Sequence, residues 1–189
     1  MILAEYLFIC FNDRYSLVNL MTMTNEMEIP MSDELAVQQI LAHYVRAHDR
    51  RDGAAMAALF TSEARVTIFY NNPPHGEPEL LGELVGREAI AQATAHMMKP
   101  HPARGWSHNA TDGLLVDIDG DRATVDALFM VFTILGDAKP ASGWPAGTTG
   151  AMGTITPIES GYYTQKLVRV AGQWLIESLQ VRHNLPFAF

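Results

Sequence analysis

Two side chains of this chain have the types and settings needed for proton transfer. Asp49 lies at the end of a predicted helix, and His108 lies at the start of a predicted strand. A carboxylate that orients an imidazole is a common way to obtain a proton acceptor at neutral pH. In this interpretation Asp49 holds one nitrogen of His108, and the other nitrogen removes a proton from a substrate carbon. The alternative is that Asp49 caps the helix and His108 is a core histidine.

The sequence predicts no metal site and no cofactor. His96, His101 and His108 do not have the spacing of zinc ligands. Residues 117–121, Asp-Ile-Asp-Gly-Asp, resemble a calcium loop, but the glycine comes too early and the closing glutamate is missing. An imidazole base works without a metal, so the expected chemistry is cofactor-independent.

Composition excludes several classes of partner. The 189 residues are 48% hydrophobic and 18% charged, which is typical of a folded globular chain. The net charge of −8 argues against nucleic acid and anionic membranes, because both need a basic face. The only cysteine is Cys10, so no intrachain disulfide can form and a cytoplasmic location is expected. A small hydrophobic substrate remains as the expected partner.

The first 30 residues are expected to stand apart from the rest. They are apolar at first, but they lack the basic start and the cleavage site of a signal peptide. Ser32, followed by Asp33 and Glu34, is a typical helix start. We therefore predict an extension over residues 1–30, disordered or not native, and one domain over residues 31–189. An extra helix on an oligomer surface is the alternative for the extension.

The elements that would position the pair follow from hydrophobic spacing and turn residues. Helices are predicted over residues 33–48, 53–60 and 86–98. Strands are predicted over residues 66–70, about 114–118, 123–135, 162–170 and 174–183. The apolar residues of the 123–135 strand fall on both faces, so a central strand covered on each side is expected. Residues 136–160 are rich in Gly, Pro, Ser and Thr and are predicted to be a long functional loop.

This order predicts an α+β fold. A cone-shaped, curved and mostly antiparallel sheet would wrap around three helices from the N-terminal half of the chain. One apolar pocket would be enclosed between the first helix and the concave face of the sheet, with the pair of Asp49 and His108 at its bottom.

The chain resembles SnoaL-like proteins of the nuclear transport factor 2-like superfamily. The resemblance covers about residues 32–189 and is carried by residues 47–52, 59–64, 86–90, 107–109 and 172–176. Within the superfamily, the chain is similar to the group of scytalone dehydratase, hexachlorocyclohexane dehydrochlorinase and bile-acid 7α-dehydratase. Those enzymes pair an aspartate at the end of the first helix with a histidine at the start of a central strand, and Asp49 and His108 match these positions.

The resemblance implies a cofactor-independent lyase or isomerase that acts on a small hydrophobic cyclic substrate of steroid, terpenoid or polyketide type. Tyr44 matches a pocket tyrosine of the bile-acid enzyme and would donate a hydrogen bond to a leaving hydroxyl or an enolate oxygen. The dehydrochlorinase has an arginine before a Tyr-Thr pair, where this chain has Ser160 and then Gly161. Dehydration or a double-bond shift is therefore favoured over loss of chloride.

The remaining expectations concern the pocket wall and the alternatives. The predicted substrate-binding residues are Phe69, Tyr70, Trp106, Asn109, Met130, Phe132, Tyr162, Tyr163 and Arg182. His48 is expected to pack or to face solvent, because neighbours on a helix point about 100° apart.

The alternatives to the predicted lyase or isomerase are an epoxide hydrolase or cyclase on the same fold, or a non-catalytic binding or assembly subunit. The resemblance also implies a homodimer or homotrimer.

Overall fold

The computed structural model describes residues 32–71 and 76–186. The described residues belong to one compact unit. The predicted extension therefore lies outside the described residues, and its assignment stays a prediction. Within the described residues, no helix is both long enough and apolar enough to cross a membrane.

The first half of the unit contains the helices and a pair of strands. In chain order these are α1 (Asp33–Arg50), α2 (Gly53–Ala57), β1 (Phe60–Tyr70), β2 (Glu79–Val85) and α3 (Arg87–Gln92). A short π-helical turn, Ala93–Met97, continues α3. The second half contains β3 (Gly105–Asp119), β4 (Arg122–Gly136), β5 (Gly153–Val170) and β6 (Gln173–His183). The α+β prediction is confirmed.

Helix α1 begins and ends where its flanking residues satisfy the backbone. The Ser32 side chain accepts a hydrogen bond from Leu35 N at 3.2 Å, as an N-cap should. Arg51 adopts a left-handed conformation (φ 57°) and ends the helix. The buried face of α1 includes Val37, Leu41 and Tyr44 and continues to Asp49, which brings the carboxylate to the sheet.

The six strands form one curved, unclosed sheet in the order β2-β1-β6-β5-β4-β3. Only the β1–β6 pair is parallel among the described strands. The β5–β6 hairpin turns at Ala171 and Gly172, whose φ values are 49° and 82°, the type I′ geometry that matches strand twist. The helices pack on one face of the sheet, where Phe129, Leu167 and Ile176 are almost completely buried.

Two boundaries and the position of one strand differ from the sequence prediction. Helix α2 ends at Ala57 and Phe60 already begins β1, so the predicted helix over residues 53–60 is wrong in its last turn. The predicted loop over residues 136–160 is shorter, because residues 153–160 pair with β4. Strand β4 lies next to the sheet edge, and its outer face is only half-buried, so it is not a fully covered central strand.

Candidate functional site

The Asp49 carboxylate joins α1 to β3. It is 5% exposed, and its Oδ2 lies 2.9 Å from His108 Nδ1. Its Oδ1 accepts hydrogen bonds from the Asn109 backbone N at 3.0 Å and from Asn109 Nδ2 at 2.6 Å. The two oxygens thus contact consecutive residues of one strand, and the carboxylate has little freedom to turn.

His108 lies at an open edge rather than at the bottom of an enclosed pocket. Strand β3 is an edge strand, and the His108 side chain is 54% exposed. Asn109, next to it, is buried, as expected when neighbouring residues of a strand point to opposite faces. The expected position at the bottom of a pocket is therefore wrong for His108, although the pairing with Asp49 is present.

His101 contacts the same end of α1, but it binds the backbone of Asp49 and not its carboxylate. Its Nδ1 accepts a hydrogen bond from Ser107 N at 3.0 Å. The proton must then lie on Nε2 when the ring is neutral, and Nε2 donates to the Asp49 carbonyl oxygen at 2.8 Å. Trp106 stacks on the His101 ring with 4.0 Å between centroids. This histidine therefore fixes the backbone of Asp49.

Asn109 connects the dyad to two further polar side chains. Its Nδ2 lies 3.0 Å from His48 Nδ1, and its Oδ1 accepts from the Tyr163 hydroxyl at 3.3 Å. Burial, reinforced by the Arg51 charge, lowers the pKa of His48 from 6.5 to about 4. His48 is therefore neutral at pH 7. It belongs to the site, whereas the direction of its side chain on the helix predicted only that it would pack or face solvent.

Aromatic rings fill the sheet face behind this network. Tyr44 meets Tyr163 edge-on at 5.4 Å between centroids, and Tyr163 stacks on Phe129 at 4.3 Å. Burial raises the pKa values of both tyrosines above their ordinary value. Both phenols are therefore neutral hydrogen-bond donors at physiological pH.

A cavity of ≈ 390 Å³ lies elsewhere, between α1 and β3. Its wall is formed by side chains within residues 35–42 and 111–114. Leu41 is eight positions before Asp49 on α1, so this cavity is centred at least roughly 12 Å along the helix from the carboxylate. The cavity and the dyad are therefore separate features.

The structure brings together part of the predicted site. Asp49, His108, Asn109, Tyr163 and Tyr44 form one continuous group. Met130 and Phe132 alternate with the buried Phe129 and Val131, so they point to the outer face. Phe132 lies directly opposite His108 in the β3–β4 register, and Trp106 stacks on His101. The predicted residues on the outer face away from the dyad are Phe69, Met130, Tyr162 and Arg182. Tyr70 lies opposite His183 in the β1–β6 register.

Glu159 and His183, like His48 and His101, were not among the predicted site residues. His183 Nδ1 contacts the Glu159 carboxylate, and both side chains are largely buried. Glu159 was placed in the predicted loop of residues 136–160, so its strand register could not be seen. His183 continues the alternation of Leu179 and Val181 on the buried face of β6, a signal that could have found it. Among the described residues, no group of three or more His, Cys, Asp or Glu side chains is placed to hold a metal ion.

The sequence profile of the SnoaL-like domain matches residues 30–180. The chain belongs to the SnoaL-like domain family. The match covers the whole site of this SnoaL-like domain except His183. No curated protein matches the chain.

Solved structures share the fold of this SnoaL-like domain at low sequence identity. The β subunit of a proposed aromatic-ring-hydroxylating dioxygenase from Novosphingobium aromaticivorans is 15% identical, with a TM-score of 0.58 and 81% and 90% of the two chains covered. A proposed scytalone dehydratase from the same organism is 16% identical, with a TM-score of 0.54 and coverage of 79% and 83%. ActVI-ORFA from Streptomyces coelicolor is 21% identical, with a TM-score of 0.54 and coverage of 78% and 94%. These likenesses establish the cystatin-like, nuclear transport factor 2-like fold.

Proposed function

We propose that this protein is a cofactor-independent lyase or isomerase that uses Asp49 and His108 as a proton-transfer dyad. The observation that carries the proposal is the 2.9 Å contact between a buried carboxylate and a half-exposed imidazole. A base must be held in one orientation and still reach its substrate. This pair meets both needs.

The contacts of Asp49 assign a role to each nitrogen of His108. Because Oδ2 faces Nδ1, the proton of the neutral ring lies on Nδ1 and the lone pair lies on Nε2. Nε2 then removes a proton from a carbon beside an activating group, and the carboxylate stabilises the imidazolium. The neutral Tyr44 phenol is the proposed hydrogen-bond donor to the substrate. The Tyr163 hydroxyl, whose ring meets that of Tyr44, already donates to Asn109.

The proposed substrate is a small hydrophobic cyclic molecule of steroid, terpenoid or polyketide type. On the face of the sheet that carries His108, Phe132 lies directly opposite it in the β3–β4 register and the exposed Trp106 lies two residues before it, so aromatic rings flank the dyad. Dehydration or a double-bond shift needs only the base and a donor. The name of the proposed scytalone dehydratase among the structural neighbours denotes a dehydration, in line with this class. We propose a cytoplasmic homodimer or homotrimer without nucleic-acid or membrane partners.

The test is turnover of hydroxylated steroids and related cyclic alcohols, followed by absorbance of the unsaturated product. His108→Gln should lower kcat by about 10²–10⁴-fold, the usual contribution of a general base. Asp49→Asn should lower it in the same direction. His43→Gln, which replaces an exposed histidine of α1, is the matched control and should keep the wild-type rate. An unchanged rate in His108→Gln would end the dyad mechanism.

A second candidate is a non-catalytic binding or assembly subunit. Two observations favour it. Aromatic rings fill the inner face of the sheet, and the cavity between α1 and β3 lies apart from the dyad. One structural neighbour is, by name, the β subunit of a larger enzyme, a proposed aromatic-ring-hydroxylating dioxygenase. If the wild type turns over no member of the substrate panel, while an apolar ligand still binds equally to wild type and His108→Gln, this candidate replaces the enzyme.

A further inference from the structure

His101 links the backbones of the two elements that carry the proposed dyad. Its Nε2 donates to the Asp49 carbonyl oxygen at 2.8 Å, and its Nδ1 accepts from the Ser107 backbone N at 3.0 Å. Ser107 directly precedes His108, whose Nδ1 lies 2.9 Å from Asp49 Oδ2. The four residues therefore close a ring, which consists of the two hydrogen bonds of the His101 imidazole, the peptide bond between Ser107 and His108, and the dyad contact.

The backbone of His108 is held on both sides. Ser107 and Asn109 are its neighbours on the edge strand β3, and alternate residues of an edge strand direct their N–H groups away from the sheet. The N–H of Ser107 donates to His101, and the N–H of Asn109 donates to Asp49 Oδ1 at 3.0 Å. Both contacts lead to residue 49, one through its main chain and the other through its side chain.

The segment that carries His101 has little conformational freedom. Pro100 and Pro102 flank His101. Each proline ring fixes its own φ, and a residue that precedes a proline is confined to extended conformations. The Arg51 guanidinium, at the residue that ends α1, donates to the Lys99 carbonyl oxygen at 3.2 Å. The segment is therefore tied to the end of α1 at two points.

The Trp106 ring holds the imidazole of His101 in one orientation. The two rings are stacked, with 4.0 Å between centroids and an interplanar angle of 14°. A flip of the imidazole about its Cβ–Cγ bond would put carbon atoms in place of both nitrogens and would break both hydrogen bonds. Because Nδ1 accepts and Nε2 donates, the neutral tautomer of His101 is fixed as well.

Capping of α1 explains only half of this arrangement. The Asp49 carbonyl is one of the last four of the helix, which have no partner within it, and His101 supplies one. The carbonyl oxygens of Ala47 and His48 receive backbone N–H groups that follow the helix. A cap needs only a donor, whereas His101 also accepts from the strand residue beside His108.

We propose that His101 is a positioning residue of this site, which holds His108 against Asp49 and so keeps the proton of His108 on Nδ1 and its lone pair on Nε2. The inference rests on the proposed lyase or isomerase function and adds a residue to it. His101 acts through the backbone of Asp49 and Ser107 and not on the substrate. A misplacement of about 1 Å in a reacting group can cost about 10²-fold in rate, so the loss is expected in kcat.

The first measurement is the tautomer of His108 in two-bond ¹H–¹⁵N spectra of the neutral imidazoles. Free histidine prefers its proton on Nε2, whereas the contact with Asp49 requires it on Nδ1. The wild type should show the Nδ1–H form for His108 and the Nε2–H form for His101. His101→Ala should shift His108 towards the Nε2–H form. His96→Ala, which removes an exposed histidine that precedes the same segment, should not.

The second measurement is turnover of the panel of hydroxylated steroids and cyclic alcohols. His101→Ala should lower kcat by up to about 10²-fold and leave KM nearly unchanged. His101→Asn keeps an acceptor near the position of Nδ1, and His101→Gln keeps a donor near that of Nε2, so each retains one end of the link. Both variants should lie between His101→Ala and the wild type in kcat and in the tautomer of His108. His96→Ala should keep the wild-type rate.

Circular dichroism and thermal melting show whether each variant is folded, and the Asn and Gln variants decide if His101→Ala does not fold. Folded variants that keep the Nδ1–H form of His108 or the wild-type kcat would overturn the positioning role and leave the dyad standing. A wild type that turns over no substrate, while His101→Ala still shifts the tautomer, would contradict the proposed function and support the positioning of His108 by His101. The Nε2–H form of His108 in the wild type would contradict both.

Discussion

At the scale of single residues, the imidazole of His48 makes the free energy of unfolding depend on pH. Its pKa falls from 6.5 to about 4 in the folded state, so between these values the unfolded chain binds a proton that the folded chain does not. Stability is therefore lost as the pH falls from about 6.5 to about 4. At about 1.4 kcal/mol per pKa unit, the loss is at most about 3 kcal/mol, and less because His48 keeps some exposed surface.

The measurement is urea unfolding between pH 4 and pH 7. His48→Asn keeps an acceptor for Asn109 but cannot titrate, so its stability should depend less on pH over this range. His43→Asn makes the same change at an exposed position of the same helix and should keep the wild-type slope. Identical slopes in all three proteins would contradict the buried neutral state of His48.

Gln165 offers a second prediction at this scale. Its side chain is 0% exposed, and neither amide atom has a hydrogen-bond partner within the described residues. A buried polar group left without a partner costs about 1–3 kcal/mol. Gln165→Met has nearly the same shape without the amide, so it should raise the free energy of unfolding by about 1 kcal/mol or more.

Chemical denaturation of Gln165→Met measures this effect. Gln173→Met, at an exposed position of the β5–β6 hairpin, is the control and should be close to neutral. A clear loss of stability in Gln165→Met would mean that the amide is bonded in solution.

At the scale of elements, the pairing of β5 with β6 requires a glycine at position 161, because a side chain there would meet its neighbours. A Cβ there would lie 2.0 Å from the Arg182 carbonyl oxygen as well as close to the Phe129 ring. Backbone cannot move aside cheaply, so Gly161→Ala should lower stability by about 1–3 kcal/mol or more. It should also disturb the Glu159–His183 pair.

Gly82→Ala is the matched control for this prediction. Gly82 lies in β2, and an added Cβ would have nothing within 4 Å. Alanine in a strand interior is otherwise better than glycine by about 0.5–1 kcal/mol, so this variant should be neutral or slightly more stable. Equal stability of the two variants in thermal melting would refute the close approach at Gly161.

The elements show where sequence reasoning succeeds. Helix α1 was predicted from its apolar spacing and its Ser32 cap, and both are present. The β3–β4 and β5–β6 hairpins were predicted from turn residues and strand alternation, and they are also present. The start of β5 was missed because Gly, Pro, Ser and Thr are typical of loops, whereas backbone pairing with β4 holds this segment as strand.

At the scale of the whole molecule, the outer face of the sheet bears on the proposed oligomer. Ile155 is 69% exposed and Tyr162 is 42% exposed, and the β4–β5 register places both on the outer face. Exposed apolar side chains that share a face are typical of an interface. Light scattering should therefore give the mass of a dimer or trimer. Ile155→Lys should shift the mass towards the monomer, whereas Leu80→Lys, 58% exposed on β2 at the other sheet edge, should not. A monomeric wild type would refute the proposed oligomer.

The sequence by itself determined the local features of this protein: the capped helix that ends at Asp49, the hairpins, the α+β order and the resemblance that identified Asp49 and His108. These follow from side chains close together in the chain. The tertiary structure decided which distant residues meet. It placed His108 at an exposed edge, joined Asn109, His48 and Tyr163 into one network, and paired Glu159 with His183. Strand register controls these contacts, and it depends on pairing between segments far apart in the sequence.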